Sequence, residues 1–280
     1  MAAPTRALVL GGGGLTGIAW TTGLLHGLAQ QGVELTDADL VVGTSAGSAV
    51  GAQVRLGRPL GELHQAQLDP TTTELAAELD LDALAAIFGV IIEAEPHDTA
   101  ACAQVGAMAL TAETVPEPVR RAVIEARLGT ETWPAGGALR ITAVDAGTGE
   151  LVVFDGSQGV GLIDAVAASC AVPGVWPPVT IGDRRYVDGG VRSVANADLA
   201  TGHDVVVVVL PLAGLAQHAL DVELDGLRRE GSTVCVLSAD DAATEAMGPN
   251  PLDPRRRPPA AEAGHRQASD LAEQLRTLWS

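Results

Sequence analysis

The pentapeptide Gly-Thr-Ser-Ala-Gly at residues 43–47 constrains the fold more than any other feature of this chain. An apolar run with the pattern of a buried strand ends just before it, and a helix-like stretch from Ser48 to Leu56 follows it. A sharp turn between a strand and a helix requires glycines on both sides of Ser45, because side chains there would collide with neighbouring elements. Such a turn would present the Ser45 hydroxyl at the carboxyl end of the strand, beside a helix N-terminus, as an activated nucleophile requires.

A run of four glycines, Gly11–Gly14, forms a second informative loop. It follows a short buried-strand run, Arg6–Leu10, and leads through residues 15–17 into a helix-like stretch from Ile18 to Gln31. Glycines leave backbone N–H groups uncovered, so these groups can approach a bound atom closely. At a helix N-terminus they stabilise an anion, either a phosphate or the oxyanion of an acyl-transfer intermediate. The two loops together provide the minimum groups for ester hydrolysis.

The glycine loop also matches other patterns. Gly12, Gly14 and Gly17 have the spacing of the dinucleotide-binding fingerprint, which expects an acidic residue at the end of the second strand. That strand ends instead in the serine turn, and the nearest acidic residues precede it. A Walker-type phosphate loop is excluded, because no Lys-Ser or Lys-Thr pair follows the glycines. A dinucleotide-binding enzyme and a simple glycine-rich packing turn remain open alternatives.

Apolar runs alternate with helical patterns along the chain. The strand-like runs lie at residues 7–10, 40–42, 140–144, 151–154, 205–210 and 233–237. Several are continuously apolar, as strands that are covered on both faces are. The alternation predicts an α/β fold of the three-layer α/β/α type with a mostly parallel central sheet, and we expect a single domain over residues 1–280.

Two segments depart from this alternation. Residues 60–135 predict a helical insertion between the second and third strands, with helices at 75–81, 84–92 and 118–128. Ordinary packing against the sheet is the favoured interpretation, and a cap over the site that holds an acyl chain is the alternative. Residues 249–262 predict a proline-rich connection with three solvated arginines, before a helix from Ala260 to Leu278 closes the domain.

Composition narrows the expected partners. All 17 basic residues are arginine, and the 35 acidic residues give a net charge of −18. A chain this acidic should repel nucleic acid and anionic membrane surfaces.

The apolar run near the N-terminus is too short for a signal peptide, no run has the length of a membrane span, and the three cysteines lack metal-binding spacing. We expect a cytoplasmic protein with no transmembrane segment, no cofactor and no metal. Peripheral membrane contact and the oligomeric state stay open.

A serine hydroxyl needs a base to remove its proton, and the usual base is histidine. Of the six histidines, only His203 gives the chain order Ser–Asp–His, but it precedes a strand and should lie at the sheet edge opposite to the site. We expect His26 to pack on the first helix. Surface positions are expected for His64, His97, His218 and His265.

Asp188 is the better candidate for the base. Two glycines follow it in the segment 188–190, after the turn of a predicted hairpin, and let the backbone bend beside another loop. The alternative interpretation is a plain Asp-Gly turn at the end of the hairpin.

With these blocks identified, the chain resembles the bacterial patatin-like phospholipases. Three blocks match in order, namely the glycine loop at 11–17, the serine turn at 43–47 and the Asp-Gly-Gly at 188–190. A fourth segment, Ala168 to Pro178, resembles the family segment that precedes the aspartate. The match covers residues 5–58 and 138–210, whereas the insertion carries no family motif.

The resemblance implies a Ser–Asp dyad that works without histidine. Ser45 would be the nucleophile, Asp188 the general base, and the amides of Gly12, Gly13 and Gly14 would form the oxyanion hole. The reaction would be acyl transfer to Ser45 followed by hydrolysis of the acyl-enzyme, with lipid or other carboxylic esters as substrates. An exposed aspartate is a weak base, with a pKa of about 3.9. A partly desolvated site would therefore have to raise that pKa.

One position departs from the family pattern. The family usually carries Arg or Lys immediately before the last glycine of the loop, where this chain has Thr16. The loss of that cation leaves the oxyanion hole with backbone N–H groups alone and weakens the expectation of phospholipid head groups. A lipid- or nucleotide-binding module that keeps the fold without catalysis is the alternative function. The retention of Ser45 and Asp188 argues against it.

Overall fold

The computed structural model describes residues 3–71, 74–77, 81–212 and 217–279, with the backbone alone described for 81–83. In this part of the chain eight strands form one sheet: β1 Arg6–Leu10, β2 Leu40–Thr44, β3 Ala138–Asp145, β4 Leu151–Phe154, β5 Val179–Ile181, β6 Arg184–Asp188, β7 Val205–Leu210 and β8 Thr233–Ser238. Hydrogen-bonded neighbours follow the path β5-β6-β3-β2-β1-β7-β8, and β4 pairs with β3 outside this path. Strands β6 and β2 pair with successive parts of one edge of β3, and β4 pairs with the other edge. Strands β3, β2, β1, β7 and β8 run parallel, and β4 and β6 run antiparallel to β3. The mostly parallel sheet confirms the predicted fold class.

Helices cover both faces of the sheet. They are α1 Gly14–Gln30, α2 Ala46–Arg55, α3 Leu60–Leu68, α4 Leu81–Glu93, α5 Thr99–Thr111, α6 Glu117–Leu128, α7 Leu162–Ser169, α8 Gln217–Arg229, α9 Asp241–Met247 and α10 Arg257–Trp279. Adjacent residues of the central strand β1 point to opposite faces. Leu8 packs in the core formed with α1, α2, α7 and α10, and Val9 packs in a second core with α8. This arrangement has three layers, α/β/α.

The helical insertion packs on the end of the sheet. A third apolar cluster joins Ile87 of α4 and Val105 of α5 to Val144 of β3 and Val187 of β6. Helices α4 and α6 match the predictions at 84–92 and 118–128. Helix α5 was not predicted, because its alanine-rich sequence gives little contrast between its faces. Of the predicted helix at 75–81, residues 75–77 have no regular secondary structure, residues 78–80 lie outside the described residues, and Leu81 is the first residue of α4.

The C-terminal helix packs closely along α1. A Cβ at Gly23 would lie 2.1 Å from the carbonyl oxygen of Ala261, and a Cβ at Gly264 would lie 2.1 Å from that of Trp20, so both glycines permit the contact. The helix begins at Arg257, earlier than predicted, because prolines are compatible with a first helical turn. The prediction of three solvated arginines is wrong at Arg257, which is 7% exposed and hydrogen-bonds to the α3 region.

Candidate active site

Ser45 occupies a strained turn between β2 and α2. Its φ is 52° and its ψ is −118°, a conformation that residues with side chains rarely adopt. A Cβ at Gly43 would lie 2.6 Å from the Cα of Ser48, and a Cβ at Gly47 would lie 1.9 Å from the carbonyl oxygen of Leu10. Close backbone contacts therefore require both glycines, as the sequence predicted. The turn fixes Ser45 at the N-terminus of α2.

Strand β3 brings Ser45 and Asp188 to one place. Thr44, the last residue of β2, pairs with Thr142 of β3, and the next β3 residue, Ala143, pairs with Asp188 at the end of β6. Strand β4 occupies the other edge of β3, so β2 and β6 share one edge and meet end to end. Two residues that are distant in sequence therefore become neighbours, because consecutive residues of β3 hold the strands that carry them.

Asp188 has the environment of a weak acid. Only 4% of its surface is exposed, and its Oδ1 accepts a 2.7 Å hydrogen bond from the N–H of Gly190. Its Oδ2 is buried and receives no hydrogen bond of ordinary geometry from the described residues. Burial raises the pKa of Asp188 to about 7, against smaller lowering effects of the nearby Ser45 hydroxyl, the Gly190 N–H and the charge of Arg120. The carboxylate can therefore accept a proton near neutral pH.

The glycine loop is shorter than the sequence predicted, because α1 begins at Gly14. The N–H of Gly12 donates to the carbonyl oxygen of Val194 at 2.9 Å, so this amide is already occupied. The amides of Gly13 and Gly14 donate no hydrogen bond within the described residues. These two N–H groups at a helix N-terminus are the candidates for binding an anionic oxygen.

Ser45, Asp188 and the glycine loop line one cavity of about 270 Å³. Most of the remaining wall is apolar. Helix α4 contributes a row of aliphatic and aromatic side chains, Leu84, Ile87, Phe88, Ile91 and Ile92, and further apolar contacts come from residues near 172–175, 191–194 and 251–252. The insertion therefore packs on the sheet through α5 and forms a wall of this cavity through α4.

The segment that follows α7 supports both candidate residues. The N–H of Ser45 donates to Ser169 Oγ at 2.9 Å, and the N–H of Asp188 donates to the carbonyl oxygen of Ala171 at 3.0 Å. The Cys170 thiol donates to the carbonyl oxygen of Ser45 at 3.3 Å. The sequence related this segment to the family but gave it no role. These contacts indicate that it fixes the backbone at both Ser45 and Asp188.

No histidine lines the cavity within the part of the chain that the structure describes. His203 precedes β7 and lies at the opposite end of the parallel strands, as expected. The rings of His26, His64 and His265 pack against one another, with centroids 5.0–5.4 Å apart. His64, His97 and His265 are half-buried, whereas the sequence predicted them at the surface.

One group of side chains has the donor types of a metal site. His97, Asp198 and Glu223 offer ligand atoms within 4.8 Å of one another. Arg192 lies within the same group, with its guanidinium 2.7 Å from Asp198 and 3.7 Å from Glu223. Because this guanidinium already pairs with both carboxylates, and the N–H of Ala197 also donates to Glu223, we interpret the group as an ion-pair network and not as a metal site.

No sequence pattern indicated Arg120, which lines a small pocket beside Ser45. Arg120 lies on α6, in the insertion, where no family motif was recognised. Arginines of an amphipathic helix usually lie on its solvent-exposed face. Only the packing of α6 shows that Arg120 is buried.

Comparison with protein-family models matches residues 8–201 to the family described as patatin-like phospholipase. Among solved structures, the chain is similar to VipD from Legionella pneumophila, with 13% identity, a TM-score of 0.50, and coverage of 98% of this chain and 67% of VipD. A structure of ExoU with SpcU from Pseudomonas aeruginosa has 18% identity and a TM-score of 0.43, and covers 99% of this chain and 53% of the other. The chain thus spans about half the length of that protein. At this identity the likeness to VipD shows the fold alone. None of the described helices combines the length and the apolar character needed to cross a membrane.

Proposed function

This chain belongs to the patatin-like phospholipase family, and we propose that it hydrolyses carboxylic esters of lipids through a Ser45–Asp188 dyad. Family membership supports lipid acyl hydrolase activity in general. The observation that carries the dyad is that Ser45, in a strained turn, and the buried Asp188 line the same apolar cavity, with the Ser45 hydroxyl near enough to lower the pKa of the carboxyl.

Asp188 acts as the general base because its site is desolvated. An exposed aspartate has a pKa of about 3.9 and removes a hydroxyl proton poorly. Burial raises the pKa of Asp188 to about 7. Near neutral pH a large fraction of the protein molecules therefore has an ionised Asp188, and this carboxylate is a stronger base than an exposed one. The activity should therefore require deprotonated Asp188 and increase as the pH rises through about 7.

Acylation transfers one proton and exchanges one bond to the acyl carbon. Asp188 Oδ2 takes the proton of Ser45, and Ser45 Oγ bonds to the ester carbonyl carbon while the π electrons move to the carbonyl oxygen. The amides of Gly13 and Gly14 donate to this oxyanion. When the carbonyl re-forms, the bond to the alcohol oxygen breaks, and the departing alkoxide takes the proton from Asp188.

Deacylation repeats these steps with water. Asp188 accepts a proton from water, the resulting hydroxide oxygen bonds to the acyl carbon, and the oxyanion forms again between the same amides. Collapse breaks the bond to Ser45 Oγ, which recovers its proton from Asp188, and the carboxylic acid is released. A single carboxylate serves both half-reactions because it returns to its starting state after each.

The apolar wall of the cavity accommodates the acyl chain of the substrate. Helix α4 supplies five residues of this wall, more than any other helix, so in our proposal it caps the site and determines which chain lengths fit. Each methylene that leaves water for this wall contributes about 0.8 kcal/mol to binding.

The test is turnover of 4-nitrophenyl butyrate together with labelling of the serine by a fluorophosphonate probe. Ser45→Ala and Asp188→Asn should each reduce turnover to background, and Ser45→Ala should abolish labelling. Ser157→Ala and Asp183→Asn, at exposed loop positions, are matched controls and should keep wild-type rates. Wild-type turnover in both dyad variants, or a Ser45 that resists the probe in folded protein, would refute the dyad and favour a non-catalytic binding module.

A further inference from the structure

Arg120 is a buried cation that forms no ion pair with a described carboxylate, although the charges of Glu74 and Asp188 are near enough to favour its charged form. Only 7% of its surface is exposed, and its Nε and Nη1 are buried without a hydrogen-bond partner among the described residues. Its guanidinium lies 4.1 Å from the centroid of the Trp176 ring, and no described carboxylate forms an ion pair with it. A buried and unpaired charge is strongly unfavourable unless a binding partner compensates it.

The unpaired guanidinium borders a small pocket beside the nucleophile. Arg120 shares this pocket with Ser45, with Gly14 at the N-terminus of α1 and with Ala46 at the N-terminus of α2. None of the described residues that line it is acidic. A guanidinium and two helix N-termini therefore give the pocket a positive potential.

The pocket that Arg120 lines is small and adjoins the main cavity. Its volume is about 20 Å³, and it adjoins the main cavity, with Ser45 and Gly14 lining both. A space of about 10–15 Å³ already admits one water molecule, so this pocket accommodates a single oxygen atom of a group that lies in the main cavity. The anion that consists of a single oxygen next to a serine nucleophile is the oxyanion of the tetrahedral intermediate.

We propose that Arg120 donates to the oxyanion that forms when Ser45 attacks the ester, and that it is a catalytic residue of this hydrolase. The inference rests on the proposed function. As Ser45 Oγ bonds to the acyl carbon, the π electrons move to the carbonyl oxygen, which accepts a hydrogen bond from Arg120 in addition to those from the Gly13 and Gly14 amides. When the carbonyl re-forms, the electrons return and the guanidinium is unpaired again.

Arg127, on the same helix α6, does not have the same role. It lines the same pocket, but its guanidinium lies 2.6 Å from Glu74, so its charge is already balanced. In this proposal α6 supplies a cation from outside the glycine loop, where Thr16 is buried and carries no charge.

Kinetics of charge-removing variants test the inference. Arg120→Met should lower kcat for 4-nitrophenyl butyrate about 100-fold with KM within about threefold, the loss expected when one oxyanion donor is removed. Arg120→Gln is a second neutral replacement in case Arg120→Met does not fold, and Arg120→Lys should recover part of kcat. Arg121→Met removes a half-buried charge from the same helix, one that is paired with carboxylates and lies outside the pocket, and should keep wild-type kcat.

Two further measurements separate an oxyanion donor from a residue that only stabilises α6. Butylboronic acid forms a tetrahedral anion on a serine, so its Ki should rise about 100-fold in Arg120→Met. Inhibition by neutral butyramide should not change, because it resembles the ground state. In addition, the acid limb of the pH profile should move to higher pH, since the charge of Arg120 lowers the pKa of Asp188.

These experiments distinguish a failure of the Arg120 proposal from a failure of the Ser45–Asp188 proposal. Wild-type kcat in folded Arg120→Met or Arg120→Gln, with Ser45-dependent turnover intact, overturns the role of Arg120 and leaves the dyad standing. A second result would also overturn the role of Arg120: Arg120→Met raises KM for the anionic ester mono-(4-nitrophenyl) glutarate and leaves kcat, and the kinetics of the neutral ester, unchanged. Arg120 would then bind an anionic group of the substrate. Absence of Ser45-dependent turnover in the wild type overturns both proposals.

Discussion

Replacing Asp188 by asparagine should abolish turnover and at the same time stabilise the fold. The side chain is 4% exposed, and burial raises its pKa from the ordinary value of 3.8 to about 7. Asparagine has the same shape and carries no charge. Its amide oxygen can accept the hydrogen bond that the N–H of Gly190 now donates to the carboxylate. The substitution therefore removes a buried charge without removing a contact.

The magnitude follows from the two pKa values. Between pH 3.8 and about 7 the folded chain keeps a proton that the unfolded chain has lost, so the free energy of unfolding falls as the pH rises through this window. Above it the full destabilisation is present. The difference between 3.8 and about 7 corresponds to about 4 kcal/mol at 1.36 kcal/mol per pKa unit, an upper bound for the gain at pH 8. We expect a gain of about 2 kcal/mol or more, or at least ~4 °C in Tm.

Thermal and urea unfolding at pH 8 and pH 5 measure this gain. The advantage of Asp188→Asn should be largest at pH 8 and should shrink by about half or more at pH 5, where the folded wild type is already protonated. Asp183→Asn, in the exposed turn between β5 and β6, is the control and should change little at either pH. An Asp188→Asn variant that is less stable than the wild type at pH 8, or whose advantage does not vary with pH, would show that the Asp188 carboxylate is not desolvated as described.

Two other substitutions test the turn and the cavity. Ser45→Gly should be about 1 kcal/mol more stable to urea than Ser45→Ala, because both lack the hydroxyl and only glycine relaxes the strained φ of 52°. Equal stabilities would mean that the turn stores no strain. Ile91→Trp fills the apolar wall and should lower kcat/KM for 4-nitrophenyl decanoate relative to the butyrate by about tenfold, the value of about two methylenes. Ala85→Trp, on the exposed side of the same helix, is its control, and an unchanged ratio in Ile91→Trp would exclude this wall from acyl-chain binding.

The sequence predicted the two candidate side chains but not the reason that they lie at one site. Ser45 and Asp188 each stood beside glycines that mark sharp backbone turns, and such local signals are readable without coordinates. The contact between them depends on the register of β3, in which Thr142 and Ala143 pair with different strands. Register is a property of long-range pairing and of which side chains must be buried, so one sequence leaves it open.

The sequence also does not show which amides of the glycine loop already donate a hydrogen bond within the protein. Gly12, Gly13 and Gly14 are equivalent as letters, and the resemblance assigned all three to the oxyanion hole. The carbonyl oxygen of Val194, which lies far along the chain, takes the N–H of Gly12 and leaves the other two amides as candidates. Hydrogen bonds between segments that are distant in sequence decide which donors remain, and a motif carries no information about them.

The electrostatics of the site depend on keeping Arg120 near Asp188 but unpaired with it. A guanidinium in a direct ion pair with Asp188 would lower the pKa of the carboxylate towards its ordinary range and remove the base. No ion pair joins the two among the described residues, and the charge of Arg120 is the smallest of the named influences on the Asp188 pKa. The ring of Trp176, 4.1 Å from the guanidinium, provides an attractive surface that does not neutralise it. The stacking therefore holds the cation for the transient oxyanion while the carboxylate keeps a pKa near neutrality.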